Sequence, residues 1–289
     1  MYLSQNLKSL EKSGIFQFSE NMLRKKCKAK YAVTSDGELR LLAVQEFSQP
    51  RFMPKGWELQ KASKHSGFDL DSGEDIVLEP DEQLKFANTI RAVRRAKIAC
   101  FDMIQCNPEL DTFATLTLSP DTVSDRADWD SAYGAMRGWL SNRVQRNGLK
   151  YICVPEHHKD GKSIHFHAVM NSEALNLEKA RYPDSGRLMK HKGQQVYNVA
   201  DFTAGFTTAK LISGESATDK VAKYIFKYMG KQMGQKIGGR YYLHGGRLGV
   251  PLCRYSDDPS ELIPEGVEPT HVKELEITGN LTYKETYYV

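Results

Sequence analysis

Cysteine is scarce in this chain: five among 289 residues, at 27, 100, 106, 153 and 253, with no two in a C-x2-C spacing. That argues against a Cys/His zinc finger and points to free thiols in a reducing cytoplasm. No apolar run approaches the roughly 18 residues needed to span a bilayer, so no membrane partner is expected. The opening residues, MYLSQNLKSLEKSG, lack the basic-then-apolar layout of a secretory signal. No stretch of the form G-x4-GK-[ST] is present, so no helicase motor is evident. The last absence is local: from Lys220 to Arg254 there is not one acidic residue.

What is there is ordinary in bulk and uneven in detail. Hydrophobic residues make up 40% and charged residues 26%, the composition of a soluble globular protein. The length suffices for one large core, or a core plus a small accessory unit. A net charge of +4 conceals an asymmetry. The acid-free stretch 220–254 holds eight basic residues, Lys223, Arg240 and Arg247 among them, whereas from Tyr255 onward eight acids face only Lys273 and Lys284. A positive segment followed by an acidic tail suggests a polyanionic partner and a tail outside the site.

The organising stretch is Lys150–Met170, KYICVPEHHKDGKSIHFHAVM. Residues 150–157 and 163–170 read as two strands around Asp160-Gly161, a strong hairpin signal. With that turn, positions whose numbers sum to 321 oppose each other, and Glu156 stands across from His165. His165 and His167 are two apart and share the face of Glu156. Two imidazoles and a carboxylate on one patch suit a divalent metal with open coordination positions. His158 is the reserve ligand, and His157 points the other way.

The rest of the chain supplies a frame. Residues 31–44 read as a small hairpin around Asp36-Gly37, and 48–80 as loop or linker. Asp81 opens a helix to about Gln105 with an apolar stripe including Ala96, Cys100 and Ile104; Arg91, Arg94 and Arg95 lie largely off that stripe and are candidate phosphate contacts. Residues 111–120 read as a core strand, and Asp128 to Gly148 as a capped helix. Two further strands are expected at 194–202 and 205–212. The order indicates an α+β domain on a central antiparallel sheet with flanking helices. A last helix, from caps at 216–219 to about Lys231, carries Ala222, Ile225, Phe226 and Met229 as a docking stripe. Tyr224, Lys227, Tyr228 and Lys231 occupy i, i+3, i+4 and i+7 on another face. A phenol is a poor nucleophile without help from a base, a metal or a cation. Paired phenols, lysines and metal ligands point to transesterification of a nucleic-acid phosphodiester.

Three motifs in order carry a resemblance: FATLTLSP (113–120), PEHHKDGKSIHFHAVM (155–170) and VAKYIFKYMGK (221–231), with CNPELDTF and GGRYYLHGGRLGVP (238–251) beside them. The chain resembles the HUH endonucleases, specifically the rolling-circle replication initiators of single-stranded DNA phages and related plasmids, including filamentous-phage gene II-like proteins. The resemblance covers about residues 81–254. It implies an HUH endonuclease palm, similar to an RRM-like sheet, with His165 and His167 as the metal-binding pair and Glu156 as the acidic third ligand. Tyr224 and Tyr228 match paired nucleophiles, with Lys227 and Lys231 assisting and Mg2+ or Mn2+ as cofactor. The implied activity is nicking of single-stranded origin DNA, leaving a 5′-phosphotyrosine and a free 3′-OH, and rejoining of ends at termination. The expected partners are origin DNA, a host or phage helicase and a DNA polymerase, in the cytoplasm of a bacterial host. Rival readings are a relaxase or single-strand transposase, a non-catalytic DNA-binding regulator of the same fold, and a hydrolytic nuclease. The chain is thus expected to divide into an accessory segment (1–80), the endonuclease domain (81–254) and an acidic tail (255–289).

Overall fold

The structure, a computed structural model, describes residues 23–50, 66–68, 75–77, 80–158, 160–214, 217–231, 236–277 and 281–288. In chain order the strands and helices begin with β1 (Leu23–Val33), β2 (Leu39–Pro50), β3 (Ser66–Phe68) and β4 (Asp75–Val77). Helix α1 (Pro80–Gln105), β5 (Thr112–Leu118), α2 (Trp129–Asn147), β6 (Tyr151–His157) and β7 (Ile164–Met170) follow. Then come β8 (Leu177–Lys179), β9 (Lys190–His191), β10 (Gln194–Gln195), β11 (Tyr197–Val199), β12 (Gly205–Leu211) and α3 (Ala217–Lys231). The last strands are β13 (Leu243–Gly245), β14 (Leu252–Ser256), β15 (His271–Ile277) and β16 (Leu281–Tyr287). The architecture is mixed α+β with antiparallel sheets.

The chain divides into two compact units, Met1–Ala87 with Val250–Val289, and Asn88–Gly249. The first is built on a five-stranded sheet in the order β14-β1-β2-β16-β15. The basic run LRKKCKAK lies in β1, which pairs with β2 through the hairpin around Asp36-Gly37. Cys27, Ala29 and Tyr31 alternate onto one face and are buried with Leu41, Val44 and Leu262. Strands from the 1–80 segment and from the 255–289 segment share this one sheet. Most of 48–80 lies outside the described residues.

The second unit holds a seven-stranded sheet in the order β13-β6-β7-β5-β12-β11-β8. The His-bearing strand β7 is third of the seven, flanked by β6 and β5. Period-two alternation sorts its side chains onto two faces. Ile164, Phe166, Ala168 and Met170 join Ala114, Leu116 and Leu118 of β5 in a core with Met136 and Leu140 of α2. On the opposite face Phe113, Ile152, Val154 and Val169 pack with Ala96, Cys100 and Ile104 of α1 and with Val221, Ala222 and Ile225 of α3.

Local chemistry explains the helix limits. The Asp128 side chain accepts from the Ser131 amide at the start of α2, and Gly148 closes the helix in the left-handed region. Replacing Asp128 by alanine is expected to lower the stability of this unit by about 1 kcal/mol, read by urea denaturation. An unchanged midpoint would show that water replaces the cap without cost. The side chain of Asp81 and the whole of Ser216 fall outside the described residues. One strand differs from the reading of the sequence. The run 194–202 is split into β10 and β11, because Val196 between them is buried and pairs with Ala180 and Met189 instead.

Candidate metal centre and tyrosine helix

The hairpin β6–β7 holds the register predicted for it: Glu156 pairs with His165, and His157 with Ile164. The connection 158–163 is closed by side-chain chemistry. The Asp160 carboxylate accepts from the amides of Lys162 and Ser163 and from the Ser163 hydroxyl, which pulls its pKa down to about 2. Gly161 sits at φ 70°, a left-handed conformation that glycine adopts without a steric penalty.

Glu156, His165 and His167 converge, with one ligand atom from each lying within 4.8 Å of the others. Oε2 of Glu156 is 2.5 Å from Nε2 of His167 and 3.2 Å from Nε2 of His165. Glu156 is 8% and His167 4% exposed, so these groups have left bulk water and must be satisfied by one another or by an ion. A carboxylate and two imidazoles sharing one focus are a donor set that fits a divalent cation. His158 is exposed, its ring 5.3 Å from that of His165, and it lies outside the group. His157 is exposed on the other side, near the Lys162 carbonyl.

A neighbour that sequence reading passed over is Thr115. It lies in register with His167, and its hydroxyl is 3.2 Å from Nδ1 of that ring. For Nε2 to serve as a ligand, Nδ1 must carry the proton, and an oxygen acceptor at Nδ1 selects that tautomer. Thr115→Val is expected to weaken Mn2+ binding by about 10- to 100-fold, measured by calorimetric titration, with Thr115→Ser restoring it. Equal affinities for all three proteins would remove Thr115 from this role. The alternation in FATLTLSP marked Thr115 as facing away from Leu116, but only the β5–β7 pairing identifies its partner.

Helix α3 crosses β6 and β7. Its docking face contains the stripe expected, with Ala222, Ile225 and Met229 buried and Phe226 packed half-buried against them, and extends further than expected: Tyr228 is buried in the same core with Val221. Tyr228 joins it because Phe113 and His167 offer flat rings to stack on beside the aliphatic contacts. Tyr228 stacks on His167 with centroids 3.5 Å apart and planes 16° apart, and Tyr224 lies against Phe113. The Tyr228 hydroxyl donates to that of Tyr224 at 3.1 Å. Burial, then the adjoining Tyr228 and the negative charge of Glu156, push the Tyr224 phenol above its ordinary value.

The other candidates are distributed differently. Lys227 is exposed with its ammonium 5.9 Å from the centre of the Tyr228 ring, and the side chain of Lys231 lies outside the described residues. Arg94, Arg95, Lys223, Arg240 and Arg247 are exposed, and Arg91 is half-buried beside Asn88. None of these six cations belongs to the Glu156, His165 and His167 group.

Among the described residues no helix is long and apolar enough to cross a membrane. Neither a curated protein nor a solved structure matches the chain. Residues 111–233, less than half of the chain but including β5, the His hairpin and the tyrosine helix, match the family of replication-associated proteins of the ORF2/gene II protein type, which supports homology to rolling-circle replication initiators over that stretch.

Proposed function

We propose that this protein is a rolling-circle replication initiator that nicks single-stranded origin DNA by tyrosine transesterification on an HUH-type palm. The observation that carries the proposal is the stacking of Tyr228 on His167, with its hydroxyl bonded to that of Tyr224, so that two phenols and a metal-ligand set share one buried patch.

Glu156, His165 and His167 would hold Mg2+ or Mn2+. The ion would polarise a scissile phosphate and offset its developing charge. In the reaction proposed, the phenol oxygen of Tyr224 or Tyr228 bonds to phosphorus, and the bond from phosphorus to the 3′ oxygen breaks. The DNA is left with a 5′-phosphotyrosine link and a 3′-OH, and the phenol proton passes to the 3′ oxygen through solvent. Lys227 would support the negative charge that develops on the phosphoryl oxygens, and Lys231, one turn further on, is assigned the same task. The second tyrosine would cleave the regenerated site after a round of copying, and the released 3′-OH would reverse the first linkage. Arg91, Arg94, Arg95, Lys223, Arg240 and Arg247 would contact the DNA backbone, making binding salt-dependent. Helicase and polymerase would come from the host or phage, in the host cytoplasm.

The test is a denaturing gel of the protein with single-stranded fragments of its replicon and Mn2+. A covalent protein–DNA band supports the proposal. One observation favours a rival: Tyr228 is buried on His167 and Tyr224 lies against Phe113, which suits a hydrolytic nuclease in which the phenols only pack. Cleavage without any covalent band would select that rival.

A further inference from the structure

The face of the sheet that carries the metal-ligand group continues beyond it. Successive register pairs run from Glu156 to His165, from His165 to Thr117 and from Thr117 to Phe206, one row across β6, β7, β5 and β12. Directly opposed residues project from the same face. Neighbouring strands lie about 4.8 Å apart, which places Phe206 on the order of 10 Å from His165 along the sheet. Phe206 is 69% exposed, the largest value among the exposed large hydrophobic side chains described. In the next row His167, Thr115 and Thr208 follow one another, and Thr208 is exposed.

One further feature adjoins this floor. Thr117 and His165 also wall a cavity of about 450 Å³ that takes in Arg126, His158 and the carboxylate of Asp160, within the size range of ligand sites. A rigid strand thus presents an aromatic ring to water, flanked by hydroxyls, with a guanidinium in the adjoining hollow. Among the described residues no packing on its own face accounts for the ring, since its neighbours along the strand on that face are Thr208 and Lys210.

We infer that Phe206 is a stacking platform for an unpaired base of a single-stranded nucleic acid whose backbone runs along this row to the metal-ligand group. Every base has a π-face, so a single phenyl ring on a sheet floor binds without demanding a sequence. Arg126, in the hollow beside the row, is the candidate phosphate-pairing group; its guanidinium also donates to the Leu118 carbonyl. The ligand class rests on the nuclease reading of the site; the platform does not depend on which residue attacks.

The test uses the full chain in chelator, so that cleavage does not compete with binding. Fluorescence anisotropy compares labelled oligodeoxyadenylate with an abasic backbone of equal length. Phe206→Ala is expected to weaken binding to oligodeoxyadenylate by about 5- to 150-fold. Phe206→Trp should retain the wild-type affinity, and on the abasic backbone all three proteins should bind alike. Equal binding of Phe206→Ala and wild type to oligodeoxyadenylate overturns the inference. So does an identical loss on the abasic backbone, or a wild type that does not distinguish the two ligands. The nuclease reading is scored separately: base-dependent loss at Phe206 in a protein that never forms a covalent adduct keeps the platform and removes transesterification. Adduct formation with unchanged Phe206→Ala affinity does the reverse.

Discussion

The double variant Tyr224→Phe, Tyr228→Phe is expected to form no covalent adduct with single-stranded DNA, a fall of more than about a thousandfold against wild type. Phenylalanine keeps both rings, and therefore the stack on His167 and the contact with Phe113. The two hydroxyls are lost, and with them the hydrogen bond between them. That bond contributes about 1 kcal/mol at most, so the fold is retained and any loss of adduct reports chemistry. The single variants separate the roles. Tyr224 is the more accessible of the two but carries the raised phenol, whereas Tyr228 is 7% exposed and lies on the imidazole. If each single variant still forms an adduct, both phenols are competent and a two-tyrosine cycle is available. If one single variant is inert, the remaining phenol serves only in packing. An adduct that persists in the double variant would sink the assignment of both residues.

Removing the metal ligands is the second large effect. His165→Ala is expected to lower Mn2+ affinity by at least about 100-fold and to abolish cleavage at micromolar metal. This position is the cleaner one to change, because the His165 side chain is 15% exposed against 5% for His167. His167→Ala should lose metal equally and in addition destabilise the protein, since that ring is 4% exposed and supports Tyr228. Glu156→Gln keeps the shape and removes the charge; it should weaken Mn2+ while leaving the urea midpoint close to wild type. Calorimetric titration with Mn2+ reads all three. Wild-type affinity in His165→Ala would show that the ion, if any, binds elsewhere.

These two experiments fail independently. A protein that loses metal in His165→Ala and cleaves without ever forming an adduct is a hydrolytic nuclease; one that binds metal and DNA but does neither is the regulator. A protein that forms adducts at full rate in His165→Ala uses its tyrosines without this centre. Thr115→Val lies between them, since it alters the metal-ligand geometry without touching either a ligand or a phenol.

Much of the site was legible because it is built from local structure. A two-strand hairpin with a short Asp-Gly connection has one register, and period-two alternation then puts Glu156, His165 and His167 on one face. Helical spacing likewise brings Tyr224 and Tyr228 together within a single element. The caps of α2 at Asp128 and Gly148 are equally local, and both appear where the sequence places them.

What no local rule reaches is pairing between distant segments. Hydrophobic spacing on α3 accounts for Ala222, Ile225, Phe226 and Met229 against the core, but not for Tyr228, which is buried because Phe113 and His167 lie beneath it. Thr115 meets His167 only through the β5–β7 register, and Phe206 joins the same face only through β12 beside β5. Strands from the first and last parts of the chain meet in one sheet although their compositions suggest separate segments. The Glu156, His165 and His167 group and the paired phenols follow from residue order, since the first lies within one hairpin and the second within one helix. Long-range packing settles which phenol lies on the imidazole, which hydroxyl orients that imidazole and which aromatic ring faces solvent along the row. Those contacts join residues tens of positions apart in the chain, and their geometry is set by sheet order and helix rotation, which single-segment periodicity does not encode.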